Sequence, residues 1–278
     1  MKVMLLGATG LLGQDLVRQW KGDEVVGLSQ AHVDIRDAAR VQEVVEESRP
    51  AWIVLAAAYT NVDACESNPQ LTFAVNRDGA AHVADAAKRS SARLLFVSSD
   101  YVFDGRKASP YEIDDIRNPQ SVYGRSKAEA EERLQQAMPD CCIVRTAWLF
   151  GAGGRCFPDT ILKLAATRPS LDVVNDQQGC PTYSVDLAKA IIQLCRKGAS
   201  GIVHVTNAGN CSWFEFAREI LARAGVATEV RPVGTRQMPR PAPRPAYSVL
   251  SPASLAQYGI SMPAWQDALD RYLAARNS

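Results

Sequence analysis

Residues 1–20 confine the fold of this chain more tightly than any other stretch. Lys2-Val3-Met4-Leu5-Leu6 is a short apolar run, and Gly7-Ala8-Thr9-Gly10-Leu11-Leu12-Gly13 follows it at once. Leu11 to Trp20 then reads as a helix, with Leu12, Leu16 and Trp20 on one side. Glycines at three-residue spacing allow a tight turn, close approach of backbone to a pyrophosphate, and tight helix–strand packing. The phosphates then sit at the amino end of the helix, where free N–H groups point outward. The same glycines elsewhere would be an ordinary turn. Between a strand and a helix they predict a dinucleotide-binding βα unit.

The chain goes on alternating. Glu24 to Leu28, Trp52 to Ala56, Leu94 to Val97 and Cys141 to Arg145 read as strands. Asp37 to Arg49, part of Pro69 to Arg89, and Ser121 to Ala137 read as the helices between them. Repeated β-α units imply right-handed crossovers and a parallel sheet. Beyond Gly151 the order loosens. Helices are expected at Phe157 to Thr167, Asp186 to Lys197, Ser212 to Ala224 and Pro263 to Arg276. Strands are expected at Leu171 to Val174, Ile202 to Val205 and Glu229 to Val233. The expected fold class is α/β: a Rossmann-type doubly wound parallel sheet with a smaller C-terminal α/β substrate lobe. The expected division is a nucleotide-binding domain at 1–150 and a substrate lobe at 151–278, with some chain returning to the first domain.

The chemistry concentrates between Leu94 and Lys127. The apolar run Leu94-Leu95-Phe96-Val97 ends in Ser98-Ser99-Asp100, which places hydroxyls at the carboxyl end of a buried strand. Open α/β sheets bind their ligands there. Tyr123 and Lys127 are four apart on one helix face. A free tyrosine, with a pKa of about 10, is a poor acid–base catalyst at neutral pH. A lysine cation on the same face is expected to lower that value. A serine hydroxyl opposite, Ser98 or Ser99, could hold a carbonyl oxygen against the phenol. Together these groups move a proton to or from a carbonyl or alkoxide oxygen, and a nucleotide on the glycine loop would supply hydride.

Composition removes other classes. Hydrophobic residues at 47% and charged residues at 22% are those of an ordinary globular protein. A net charge of +1 gives no reason to expect a nucleic acid or an anionic membrane as partner. The apolar run Ala51 to Tyr59 is too short to span a bilayer, and the strand at the amino end is no signal peptide. Seven scattered cysteines suit small buried residues in a reducing cytoplasm. Three histidines (His32, His82 and His204) show no ligand spacing, and no essential metal is expected.

Four further stretches carry a resemblance. They are Ala57 to Asp63 (AAYTNVD), Ser99 to Gly105 (SDYVFDG), Arg145 to Gly151 (RTAWLFG) and Asp176 to Thr182 (DQQGCPT). With Gly-x-x-Gly-x-x-Gly and Tyr-x-x-x-Lys, the chain resembles the extended short-chain dehydrogenase/reductases. More narrowly, it resembles the dTDP-4-dehydrorhamnose reductases, the last enzymes of dTDP-L-rhamnose synthesis. The resemblance implies catalysis by Ser99, Tyr123 and Lys127. It implies cofactor contacts from Gly7, Thr9, Gly10, Leu11, Leu12, Gly13, Asp34, Ile35, Ala56, Ala57, Ala58 and Tyr59, besides Tyr123 and Lys127. It implies substrate contacts from Thr60, Val62, Asp100, Tyr101, Phe103, Trp148, Pro181, Thr182 and Arg244. Asn76 resembles a superfamily asparagine that ties neighbouring backbone together.

The second strand ends in Gly27-Leu28-Ser29 without an acid, so a 2′-phosphate has room and Arg36 is a possible partner. NADPH is the expected cofactor, with use of NADH left open. From Arg231 to Arg244 four arginines occur with no acid between them. They suit either a solvated proline-rich strap or a mouth that grips a diphosphate through guanidinium forks. The resemblance favours the mouth for Arg244, and a dTDP-sugar as substrate. Some of the resembling reductases are magnesium-bridged dimers. Here Asp15 lies near the first bridging position, but Val185 stands at the second. A monomer or homodimer is expected, and bound magnesium is left open. Two alternatives remain: reduction of another dTDP-4-keto-deoxyhexose, and a non-catalytic regulator like that of methionine adenosyltransferase.

Overall fold

A computed structural model of the chain describes residues 1–276. Its first half alternates as the apolar pattern requires. The elements are β1 (Lys2–Leu6), α1 (Leu11–Gln19), β2 (Glu24–Leu28), α2 (Ala38–Ser48) and β3 (Trp52–Leu55). After them come α3 (Val62–Ser67), α4 (Pro69–Phe73), α5 (Gly79–Arg89), β4 (Arg93–Ser99), α6 (Val122–Ala137) and β5 (Cys142–Thr146). Asp37 caps α2 through Arg40 N, and Ser121 caps α6 through Gly124 N. One π-turn, Ala74–Asp78, joins α4 to α5, so the expected long helix is present with a bulge inside it.

Later elements are shorter. They are β6 (Leu149–Phe150), α7 (Phe157–Ala165), β7 (Ser170–Val174), β8 (Gln178–Gly179), β9 (Thr182–Tyr183) and α8 (Ser184–Arg196). The chain ends with β10 (Gly201–His204), β11 (Cys211–Ser212), α9 (Trp213–Arg223), β12 (Glu229–Val233), α10 (Ala253–Ala256) and α11 (Trp265–Arg276). Ser212 and Glu215 close α9 with a reciprocal capping box. The two-residue strands and α3 were not legible in the sequence, because segments that short carry no measurable period.

Six parallel strands form the central sheet in the order β10-β5-β4-β3-β1-β2. This is the Rossmann-type α/β sheet, with one strand from beyond residue 151 added at its edge. Alternation along β1 sends Val3 and Leu5 to one face and Met4 and Leu6 to the other. The first face is covered by Leu12, Leu16 and Trp20 of α1 with Leu187 and Ile191 of α8. The second is covered by Val41 and Val45 of α2, Val83 of α5 and Leu134 of α6. A third core gathers Phe150, Ile161, Phe216, Trp265 and Tyr272 around α7, α9 and α11, beside the β7–β12 pair. Each fully buried aliphatic or aromatic side chain contributes about 1.5–3 kcal/mol, so these three clusters hold the strand ends in place. No helix among the described residues is long and apolar enough to cross a membrane.

Candidate active site

The glycine loop closes against the carboxyl ends of two strands. Gly7 and Ala8 donate their N–H groups to Leu28 O at the end of β2, and Ala56 and Ala57 donate to Leu6 O. Gly7 has a φ of +95°, and a Cβ there would lie 2.6 Å from Ala57 N. A Cβ on Gly13 would lie 2.0 Å from Gly7 O, so only glycine lets α1 start this close to the turn. Gly10 is the N-cap of α1; it has no side-chain cap, and the first turn carries no acid. The free N–H groups and the positive helix end therefore face outward, a cradle suited to a pyrophosphate. This fits the expected nucleotide, with Gly7, Thr9, Gly10, Leu11, Leu12 and Gly13 around the cradle.

Asp34 and Ile35 lie beyond the end of β2. Ile35 is buried against Gly79, whereas Asp34 is half-buried and engaged. Arg36 donates from Nε to both Asp34 carboxylate oxygens at 3.0 Å and from Nη2 to Oδ2 at 2.5 Å. Hydrogen bonding from Arg36 holds the Asp34 carboxyl down at about 2, against burial. The guanidinium considered for a 2′-phosphate is thus already held by an acid.

Ala56, Ala57, Ala58 and Tyr59 form the exit from β3, and Asn76 fixes that exit. Asn76 accepts from Tyr59 N at 2.7 Å and donates to Tyr59 O at 3.1 Å and Ser126 Oγ at 3.0 Å. The π-turn aims its buried side chain at both partners. The tie expected for Asn76 is therefore present in the geometry.

Ser99, Tyr123 and Lys127 come together between β4 and the first turns of α6. Burial pushes the Tyr123 phenol well above the ordinary tyrosine value, and a hydrogen bond with Ser99 opposes that shift. Lys127 was expected to lower the phenol directly. Instead its Nζ donates to Val97 O at 2.7 Å and lies 3.9 Å from the centre of the Phe96 ring. The geometry differs from the expectation because a fully buried ammonium takes the nearest acceptor. The tyrosine is therefore held in its protonated form, the form that can give a proton away.

Asp100 is buried beside this pair. Ser99 Oγ donates to Asp100 Oδ1 at 2.9 Å, and burial pushes the Asp100 carboxyl up to about 6. The Tyr101 ring meets Tyr123 edge-on at 5.6 Å, and Tyr59 and Val62 pack around them. Thr60 is exposed at the rim. Phe103 is placed differently from a substrate contact. It is buried, stacked at 4.2 Å on Tyr111, edge-on to His204, with Arg145 over its other side at 4.9 Å.

Three of the four motif stretches, those beginning at Ser99, Arg145 and Asp176, are linked through backbone pairing, partly by way of residues 246–248. Thr182 N donates to Trp148 O, Gln178 N to Ala246 O, Ser248 N to Gln178 O, and Tyr247 N to Gly105 O. Thr182 is buried with its hydroxyl on Cys180 O, and Pro181 is buried next to it. Trp148 adopts φ +45°, a left-handed conformation that strains a residue with a side chain by on the order of 1–3 kcal/mol. Its indole lies flat on Trp213 at 3.5 Å and directly over Gly179, where a Cβ would come within 2.3 Å of the ring. The stack turns that strain into a fixed wall. Trp213 had no signal in the sequence, since an indole at a helix start is usually core.

Arg244 has a partner that the sequence did not reveal. Its Nη1 donates to Asp63 Oδ1 at 2.5 Å and to Ala242 O at 2.6 Å, and Ala242 N also donates to Asp63. The acid comes from α3, 181 residues away. The proline-rich loop is thereby strapped to α3. Two further residues escaped the sequence reading. Glu66 accepts Val122 N at the start of α6, and Thr146, opposite Ser99 in register, has a buried hydroxyl without a hydrogen-bond partner.

Comparison with known proteins agrees with this arrangement. The family described as "RmlD substrate binding domain" matches residues 1–278. The chain is 41% identical over its full length to "Spore coat polysaccharide biosynthesis protein SpsK" of Bacillus subtilis, covering 98% of that protein. It is 40% identical to a dTDP-4-dehydrorhamnose reductase of Mycobacterium tuberculosis, over 99% of this chain and 93% of the other. The crystal structure of a dTDP-4-dehydrorhamnose reductase from Bacillus anthracis in complex with NADP superposes with a TM-score of 0.96. Identity to it is 36%, over 99% of both chains. On a family match over residues 1–278 and relatives about 40% identical along nearly the whole chain, the chain belongs to the dTDP-4-dehydrorhamnose reductase family of extended short-chain dehydrogenase/reductases.

Proposed function

We propose that this protein reduces the C4 ketone of dTDP-4-dehydro-L-rhamnose to dTDP-L-rhamnose with NADPH. The observation that carries the reading is Tyr123, buried and held protonated beside Ser99 at the carboxyl end of β4. When bound, the nicotinamide supplies the hydride. Ser99 orients the carbonyl oxygen, and Tyr123 gives its proton to that oxygen as negative charge develops on it. Lys127 places a cation beneath the site, and its contact with Val97 O holds it in the fold. The α1 amino end takes the pyrophosphate, Asp34 and Ile35 flank the adenine, and Ala56 to Tyr59 border the nicotinamide side.

The sugar lies against Trp148, Val62 and Tyr101, near Asp100, with Thr60, Pro181 and Thr182 shaping its border. Arg244 receives the diphosphate. Phe103 acts from behind, as support. In this reading residues 1–150 carry the cofactor and 151–278 mainly the substrate, with β10 returned to the sheet. The protein works in the cytoplasm as a monomer or homodimer, without an essential metal.

The Asp34–Arg36 pair sharpens the cofactor preference. Arg36 neutralises the one acid near the end of β2, so nothing there repels a 2′-phosphate. NADPH is expected to give a kcat/KM at least equal to that of NADH when oxidation is followed with dTDP-4-dehydro-L-rhamnose. A strong preference for NADH would mean that Asp34 lets go of Arg36 and takes the ribose hydroxyl instead.

A further inference from the structure

Lys127, Glu131 and Arg145 form a buried charged cluster behind the proposed site. α6 carries Tyr123, Lys127 and Glu131 at successive turns of one face. The last three residues of β4 before Asp100 meet them one for one. Val97 O accepts from Lys127 Nζ at 2.7 Å, Ser98 Oγ donates to Glu131 Oε1 at 2.5 Å, and Ser99 stands beside Tyr123, where it opposes the upward shift of the phenol. Arg145, inside β5, completes the set. Its Nε donates to both Glu131 oxygens at 3.0 and 3.2 Å, and its Nη2 to Oε2 at 2.7 Å. Lys127 and Arg145 are each 1% exposed, and Glu131 is 0% exposed.

We propose that Glu131 is a positioning residue whose carboxylate, locked by Ser98 and Arg145, keeps Lys127 a cation in the working site. Apolar side chains of similar volume would serve stability at this place about as well as a buried ion pair does. What they would not supply is a negative charge one turn from Lys127. Burial pushes Lys127 down to about 7, and Glu131 opposes that shift.

The other charges around the cluster are accounted for. Arg117 reaches Glu131 Oε2 at 3.3 Å from the loop before α6. His204 on β10 lies 3.4 Å from Arg145 Nη1, and burial with Arg145 keeps it neutral, down at about 3. Glu129 and Arg133 turn away, pairing with Arg77 and Asp78. On the β4 side, Asp100 stands against Ser99 and Tyr123.

The sign follows directly. A lysine is charged below its pKa, so loss of the carboxylate lowers the pKa and empties the cation at neutral pH. An opposite charge within about 4–6 Å shifts a pKa by about one unit or more, and Glu131 stands one helical turn from Lys127 on the same buried face. The proposal rests on the reading of Lys127 as part of the reductase site, but its test does not need turnover.

Lysine labelled with 13C at Cε is titrated by NMR in the cofactor-free protein, with the Lys127 signal assigned from Lys127→Arg. The Lys127 midpoint should fall by about one pH unit or more in Glu131→Gln. It should stay near the parent value in Glu131→Asp. The double variant Glu131→Gln/Arg145→Met leaves no orphaned guanidinium behind if the single variant does not fold. Because Arg145 is itself a cation, the double variant is compared with Arg145→Met, and its midpoint should lie below that one. In the active enzyme, the alkaline limb of kcat/KM should move with the midpoint. A Lys127 midpoint unmoved in a folded Glu131→Gln, or equal in the double variant and Arg145→Met, would overturn the proposal and leave the reductase reading intact.

Discussion

Replacing Tyr123 by Phe is expected to reduce kcat by about 10² to 10⁴-fold while leaving the fold and NADPH binding in place. The substitution removes one hydroxyl and keeps the ring. The ring holds its place against Tyr101, Val62 and Val122, so packing is preserved. What is lost is the proton that meets the alkoxide, together with the partner of Ser99. Burial keeps that proton on the phenol through neutral pH, so the parent should not lose activity through Tyr123 until strongly alkaline conditions. Single-turnover rates with prebound NADPH separate this chemistry from release of product. A variant that turned over within a few-fold of the parent would move the acid role elsewhere, with Asp100, pushed up to about 6, the nearest alternative.

The parts of this account that were legible in the sequence are those with a short-range physical cause. Short apolar runs marked the first five strands, and the glycine spacing marked the loop geometry, because only glycine tolerates the approach of Gly13 to Gly7 O. Tyr123 and Lys127 could be placed on one face by helical period alone. Contacts made by the fold could not be placed. The Asp63–Arg244 pair spans 181 residues, and no local pattern reports a partner at that distance. Lys127 illustrates the same limit. Its spacing put it beside Tyr123, but a buried ammonium takes the closest acceptor, and β4 supplies Val97 O. Glu131 and Arg145 did carry a signal, an acid one turn beyond the lysine and a cation inside an apolar strand. Only the packed structure shows that they meet.

Arg244→Ala is expected to lower kcat/KM for the nucleotide sugar by about 10 to 150-fold, from loss of a charge-assisted contact of roughly 1.5 to 3 kcal/mol. NADPH affinity, followed by fluorescence titration, should hardly change, since the glycine cradle lies on β1 and α1. Arg244→Lys should recover only part of the loss, because an ammonium lacks the planar fork. The Asp63 contact adds a control. The acid orients the guanidinium and straps the loop to α3 but, on this reading, does not meet the diphosphate. Asp63→Ala should therefore cost clearly less than Arg244→Ala. Equal losses in the two variants would assign the arginine to anchoring the loop rather than to recognising substrate.

In the proposed reaction, hydride reaches C4 of the sugar while Tyr123 delivers the proton to its oxygen. The most direct measurement supplies NADPH deuterated at the transferring position and reads the product by NMR. Deuterium at C4 of dTDP-L-rhamnose, with transfer slowed by about 10² to 10⁴-fold in Tyr123→Phe, is the predicted result. Deuterium at another carbon, or product formed without deuterium, would contradict it.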